Sequence, residues 1–264
     1  MSESKKFVRI YRRKGKYVLK ILVIGDSCTD VFIYGRCQRL SPEAPIPVFE
    51  PSKTITNDGM AGNVVANLRK LGVEKVELIT NHEQITKTRY VEEKSNQMLL
   101  RVDSNDKVRN TFDIKKIDFD SYDAVVVADY DKGFLTLSDI DEISKLAKLS
   151  FIDTKKVIEH NYFKNYTFVK MNEVEWENCV KHGAIYDEWE DKLIVTMSER
   201  GCMYQSKRYS VDNSVEVRDL SGAGDTWMAS FTFKYVETND VSKSIEFANQ
   251  KATLVVQKRG VSTI

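Results

Sequence analysis

The chain has 264 residues, a formal net charge of +1, 42% hydrophobic residues and 30% charged residues. That balance excludes a general nucleic-acid binder, which needs a strongly basic surface. No apolar run is long enough to span a membrane, and the length suits one large domain or two small ones.

In chain order, residues 1–18 read as a basic, solvated tail without the apolar centre of a signal peptide. "YVLKILVIGD" predicts a buried strand ending at Gly25-Asp26. Residues 44–57, "APIPVFEPSKTIT" with a final Asn, carry Pro45, Pro47 and Pro51, which keeps them out of the centre of a sheet. "AGNVVANLRKLG" predicts a helix with Val64, Leu68 and Leu71 on one face and Gly72 at its C-terminal cap. "VEKVELIT" is a second strand. Residues 85–103 alternate like a hairpin, with Ile85, Lys87, Arg89 and Val91 set against Thr86, Thr88 and Tyr90. Segments 44–57 and 85–103 are expected to pair as a small flap, either a lid that keeps water from a reactive phosphate or a plain edge hairpin.

"DAVVVADY" is a continuous apolar strand of the kind a parallel sheet buries. It is followed by "SDIDEISKLAKL", a helix with Ser138 as the expected cap. "LSFIDT", "YTFVKMN" and "KLIVTMS" are three more short strands. "NSVEVRDL" alternates Val215 and Val217 with polar residues and predicts a strand before the turn at Gly222, Ala223, Gly224 and Asp225. Met228, Phe231 and Tyr235 then recur at helical spacing, and "VSKSIEFANQKATLVVQKRG" is the last helix. Alternating strands and helices imply an α/β fold with a mostly parallel sheet. Without a repeat or a Pro/Gly-rich linker, residues 19–264 read as one domain.

Asp26, Asp129, Asp153, Asn172 and Ser198 each follow or end an apolar strand. Ligands of open α/β sheets bind outside the carboxyl ends of strands, so five such positions either form one site or simply terminate strands. The small residues 222–224 open a helix, where free N–H groups attract anions, and Asp225 beside them is either a base or a first-turn charge. The Walker-A pattern is absent, and a dinucleotide fingerprint fails because Trp227 stands at its third glycine. "GDSCT" lacks the closing glycine of a nucleophile elbow. No H-E-x-x-H occurs, and Cys28, Cys37, Cys179 and Cys202 lack zinc-type spacing, so they read as free thiols of a reducing cytoplasm. Phosphoryl transfer suits what is left: backbone donors, oxygen ligands for a metal, and a base.

"SGAGDTWMASF" resembles the C-terminal signature of the ribokinase-like (PfkB) carbohydrate kinases. "RLSPEAPIPV", "GMAGNVVANLRKLG", "NQMLLRVD", "VVVADYDKGFLT", "IDTKK" and "MNEVEWEN" are similar, in order, to the branch that phosphorylates a heptose 7-phosphate, the kinase half of bifunctional ADP-heptose synthases. The resemblance covers about residues 19–264 and implies a three-layer ribokinase-like fold with a small β lid. It implies ATP and Mg2+ as cofactors, with a monovalent cation as a further candidate, and a sugar or sugar phosphate as substrate.

By the same resemblance Asp225 is the catalytic base, and Gly222, Ala223 and Gly224 present N–H groups to the transferring phosphoryl group. Asn172 and Glu175 match the family's N-x-x-E motif, which acts near Mg2+ and the phosphates through water. Thr196, Ser198, Gly201 and Asn249 fall in the nucleotide-binding segments. Asp30, Gly59 and Asn63 fall in the sugar-binding segments, and Lys155 is a candidate phosphate contact. In that family such lids often pack against the lid of a second subunit, so a homodimer joined through the lids is expected, with Ile46, Val48, Ile85 and Val91 as candidate contacts; the alternative is a lid folded onto its own sugar pocket. The charge balance and the lack of a long apolar run imply no nucleic-acid or membrane partner.

Three residues depart from the pattern. Met60 follows Gly59 where a second glycine is usual, Ser198 replaces a glycine of the nucleotide turn, and Leu220 replaces a small or β-branched residue. A larger departure is a gap. The helix and strand that the family inserts after the "VELIT" strand are expected to be missing, because only Asn81–Gln84 join that strand to the lid.

Overall fold

A computed structural model of the protein describes residues 18–157, 160–183, 189–211, 215, 217–258, 260 and 263–264. Nearly all of the basic tail lies outside them. The chain enters through β1 (Lys20–Gly25), then leaves the main body in β2 (Ser27–Leu40) and returns in β3 (Pro47–Met60). Helix α1 (Ala61–Lys70) and β4 (Lys75–Ile79) follow, and the chain leaves again in β5 (Ile85–Glu92) and β6 (Met98–Ser104). The remaining elements are β7 (Ala124–Asp129), α2 (Leu137–Leu146), β8 (Ser150–Thr154), α3 (His160–Phe163), β9 (Phe168–Asn172), α4 (Glu173–Lys181), β10 (Leu193–Thr196), β11 (Cys202–Tyr204), β12 (Lys207–Tyr209), α5 (Ala223–Thr238) and α6 (Val241–Val256).

The main sheet has the order β12-β11-β10-β9-β8-β7-β1-β4 and is parallel except for the β10-β11-β12 meander. Both faces are covered, so its strands alternate between two cores rather than between core and water. Ile21, Val23 and Val126 pack with Val64, Leu68, Trp227 and Ile245 from α1, α5 and α6. Leu22, Ile24 and Val127 pack with Ile140, Phe163, Cys179 and Trp189 on the opposite side. The result is the three-layer architecture expected.

The lid is a separate four-stranded sheet of order β3-β2-β5-β6. Segments 44–57 and 85–103 therefore do not pair with each other. β2 lies between them, antiparallel to β3 and parallel to β5. The sequence reading missed β2 because "SCTDVFIYGRCQRL" follows the apolar β1 without a turn signal. Pro47 and Pro51 sit where their missing N–H is harmless, on the edge strand β3, and Pro45 lies just before it. β4 is the edge of the main sheet and runs directly into the lid, so the expected αβ unit is absent. Asn81 closes the short link: its Oδ1 accepts the Ser27 N–H at 2.8 Å, and its Nδ2 donates to the carbonyls of Ser27 and Glu83.

Local signals explain the helix ends. Gly72, at φ 93°, ends α1 with the Gly72 N–H on the Arg69 carbonyl and the Val73 N–H on that of Leu68, a Schellman motif. The cap of α2 is Thr136, not Ser138. Thr136 and Asp139 form a reciprocal capping box two residues upstream of the expected cap. Met60 starts α1 at φ 57°, ψ −130°. A positive φ costs of order 1–3 kcal/mol for a side-chain-bearing residue. Burying the thioether against Cys28 and Ile85 contributes about 1.5–3 kcal/mol in return.

"NSVEVRDL" is not a strand where it is described. Val217 and Leu220 have no regular structure, and the N–H groups of Arg218 and Asp219 bond to the Val256 carbonyl at the end of α6. Taken by a helix end, these two donors are not free for a β ladder.

Candidate active site

Asp225 lies in the first turn of α5 and is only 4% exposed. Its carboxylate is gripped from both sides. Asn63 Nδ2 donates to Oδ2 at 3.0 Å from α1, and the Tyr130 hydroxyl donates to Oδ1 at 2.5 Å from the loop after β7. Burial pushes the carboxyl up to about 6; the two hydrogen bonds pull the other way, as does Lys170 at longer range. A carboxyl poised there changes charge near neutrality, which suits proton transfer.

A cavity of about 810 Å³ opens in front of the α5 N-terminus at the carboxyl ends of β8, β9 and β10. It brings together Lys155, Asn172, Thr196, Ser198, Gly201, Gly222, Ala223, Gly224 and Asn249. Gly222 supplies the turn at φ 80°, whereas Gly224 is helical. The Ala223 N–H is already turned to the Leu220 carbonyl at 3.2 Å. Ser198 adopts φ 49° where a glycine is the family habit. Gly201 is obligatory, at φ 83° with a Cβ site 2.0 Å from the Tyr209 carbonyl oxygen. Asn249 accepts from Trp227 Nε1 at 2.8 Å and donates to the Tyr209 carbonyl at 3.0 Å. Val211, Val215 and Val217 add an apolar wall.

Glu175 does not line the cavity. Its carboxylate accepts the Asn172 N–H and side-chain amide at 2.7 Å each, while Asn172 Oδ1 accepts the Glu175 N–H at 2.9 Å. The N-x-x-E pattern is thus the capping box of α4. Glu175 also pairs with Lys155. Burial lowers the Lys155 pKa, but Asp153 and Glu175 outweigh it and leave the ammonium favoured.

On the lid side, Asp30 and Gly59 meet. A Cβ on Gly59 would lie 2.1 Å from Asp30 Oδ2 and 2.5 Å from Cys28 Sγ. Asp30 is buried and ion-paired to Arg89. Lys87, 8% exposed, points its ammonium toward the Tyr130 ring, 5.7 Å from the centroid. Among the described residues no hydrogen bond or ion pair holds it, and burial lowers its pKa.

The five polar strand ends do not form one site. Asp153, Asn172 and Ser198 line the cavity. Asp26 instead accepts the N–H groups of Tyr130, Lys132 and Phe134, and Asp129 holds Thr154 and Lys156. These two carboxylates build the loop that presents Tyr130. Sequence reasoning missed Tyr130, Lys170, Lys87 and Arg89 as site residues. Lys170 pairs with Asp153 at 2.6 Å, 3.1 Å from a Cβ site on Gly224. The period-2 pattern of β5 did carry a signal, since it sets Lys87 and Arg89 on the same face as the buried Ile85 and Val91.

Residues 55–264 match the model of the pfkB family of carbohydrate kinases. The chain belongs to that family. It is 31% identical to the bifunctional protein HldE of Helicobacter acinonychis, an alignment covering 91% of this chain and 63% of the relative. It is 30% identical to HldE of Nitratiruptor, again over 63% of that protein. The chain thus spans less than two thirds of these relatives. The Helicobacter alignment runs over 294 positions, more than the whole chain, so this PfkB member lacks segments that the relative carries. The fold matches a ribokinase of Thermotoga maritima at TM-score 0.70 and 15% identity, covering 92% of this chain and 94% of that one. It matches the phosphofructokinase-2 of Escherichia coli at TM-score 0.67 and 13% identity, over 93% and 94% of the two chains. No helix among the described residues is long and apolar enough to cross a membrane.

Proposed function

We propose that this PfkB member is an ATP-dependent kinase that phosphorylates a hydroxyl of a phosphorylated sugar, with a heptose 7-phosphate as the favoured substrate. The observation that carries the reading is the place of Asp225, a buried carboxyl between the cavity at the α5 N-terminus and the cationic inner face of the lid. Asp225 takes the proton of the sugar hydroxyl. That oxygen bonds to the γ-phosphorus as the bond from phosphorus to the bridging oxygen breaks and ADP leaves. The α5 N-terminus and Lys170 balance charge on the transferring group, and Lys155 does so beside them. Thr196, Ser198, Gly201 and Asn249 shape the nucleotide end, where Val215 and Val217 offer an apolar face to the base. Asp30 and the backbone at Gly59 orient the sugar.

Magnesium fits the donor set. Asp153 Oδ1 is buried with no hydrogen-bond partner, and Asn172 lines the same cavity at the end of β9, with Glu175 acting only indirectly as its capping partner. Among the described residues no cluster of three or more metal-type side chains occurs. That suits an ion held chiefly by phosphates and water, with one or two protein oxygens. When bound, it screens the charge of the phosphates.

A phosphorylated sugar is favoured by Lys87, a desolvated ammonium without an anionic partner beside Arg89. The likeness to HldE proteins supports a heptose. The test is ADP release with MgATP across sugars, sugar phosphates and nucleosides, for wild type and Lys87→Met. Sugar phosphates are expected to be used best, with Lys87→Met raising their KM by roughly ten- to hundredfold and leaving KM for ATP in place. Equal use of neutral sugars, or preference for a nucleoside, would rule out the phosphate reading. The outer face of the lid is the proposed seam of a homodimer.

A further inference from the structure

We infer that Tyr130 is the positioning residue of the base: its hydroxyl fixes the plane of the Asp225 carboxylate, and its ring ties that carboxylate to the base of the lid. The inference rests on the reading of Asp225 as the base.

The loop that carries Tyr130 is over-determined. Asp26 accepts the Tyr130 N–H at 2.8 Å and those of Lys132 and Phe134 at 3.3 Å. Asp131 and Gly133 both adopt positive φ, and a Cβ on Gly133 would lie 2.5 Å from the Val108 carbonyl oxygen. Such a loop has few alternatives, so the phenol arrives in one place. Its ring packs on the lid-base cluster of Cys28, Met60 and Ile85. Lys87 from the lid and Lys155 from the nucleotide cavity stand 5.7 and 5.5 Å from the ring centroid. Tyr130 is therefore the wall between the two halves of the site.

The hydroxyl donates to Asp225 Oδ1 while Asn63 donates to Oδ2. A carboxylate has about four acceptor positions, so two remain for an incoming sugar hydroxyl. Only an ionised carboxylate keeps all of these positions as acceptors and is able to take the proton of the sugar hydroxyl. The charged groups facing this pair are Asp153 and Lys170 from the main sheet, Lys155 after β8 and Lys87 from β5, with the neutral thiol of Cys28 from β2 beside them. Burial, then Asp225 and Asp153, hold the Tyr130 hydroxyl far above its ordinary pKa, so it stays a donor throughout the working range.

Tyr130→Phe removes the hydroxyl and keeps the ring. Loss of a hydrogen bond to a charged group moves the acid limb of kcat/KM upward by about one to two pH units from its wild-type position near 6. Activity near pH 6.5 then falls about three- to twenty-five-fold, most of it returns by about pH 9, and KM for ATP is unchanged. A limb left in place, with activity either unchanged or lowered equally at every pH, overturns the inference. A second measurement does not depend on turnover. In protein labelled with 13C at aspartate carboxyls, the Asp225 resonance is identified by its loss in Asp225→Asn. In Tyr130→Phe it is expected to titrate at higher pH than in wild type. If it titrates at the wild-type pH, the inference fails whatever the activity. If it moves while no sugar is phosphorylated, the kinase reading fails and the grip on Asp225 stands.

Discussion

Asp225 and Asp153 are two buried carboxyls on neighbouring elements with opposite fates. Burial raises both, but at Asp153 it is overcome by Lys170 and Lys155, and its pKa ends below the ordinary value. At Asp225 burial prevails and the value reaches about 6. Environments that push two carboxyls apart suit them to different work: Asp153 is held as a fixed charge, and Asp225 is suited to the proton transfer proposed for it. A base must be ionised, and a raised pKa means that the carboxylate is lost as pH falls. The rate is therefore expected to decline below about pH 6 and to be flat just above it. Asp225→Asn keeps the shape and removes the acceptor. It is expected to lower kcat by roughly 10²–10⁴-fold with little change in ATP affinity. Steady-state kinetics beside calorimetry with a non-hydrolysable analogue decide this; wild-type turnover in Asp225→Asn would refute the role.

The start of α5 shows what an element contributes beyond its residues. Gly222 bears the left-handed turn, so the conformational demand sits there and not at Gly224. Gly224 is small for another reason: its Cβ site lies 3.1 Å from Lys170 Nζ and 4.0 Å from Asp153 Oδ2. Gly224→Val would drive the ammonium off its carboxylate and fill the space before the helix N-terminus. The expected result is a folded protein, by circular dichroism, whose affinity for a nucleotide analogue with Mg2+ falls about tenfold or more. Unchanged affinity would make the small residue a packing device only.

For the whole molecule, the open question is what covers the lid. Ile85 and Val91 are 0% and 5% exposed on its inner face, so they cannot be the dimer contacts the sequence suggested. The strand register instead places Val31, Ile33, Tyr90, Leu100 and Val102 together on the outer face, with Leu100 56% and Val102 42% exposed. A four-stranded sheet with one apolar face open to water gains by burying it against a copy of itself, and a two-fold axis lets one patch serve both partners. Leu100→Glu is expected to convert a dimer to a monomer in light scattering while leaving the thermal transition of the main domain near its wild-type position. A wild type that is monomeric at high concentration would end the lid-dimer proposal.

The sequence by itself determined the layers of the main sheet and the helix that carries Asp225. These rest on local periodicity and on turn residues such as Gly72 and Gly222, whose constraints act within a few positions. It also contained the missing αβ unit, because four residues between two strands leave no room for one. Only the tertiary structure decided that β2 lies between the two expected lid segments, since strand partners are chosen by packing across the sheet. It alone showed that Arg218 and Asp219 give their N–H groups to the end of α6. It alone brought Tyr130 to Asp225, 95 residues apart along the chain. The alternation in β5 placed Lys87 on a buried face but did not say what that face covers. A single side chain in a sequence carries no record of its distant neighbours; burial, pKa and hydrogen-bond partnership arise only when strands from distant parts of the chain close around it.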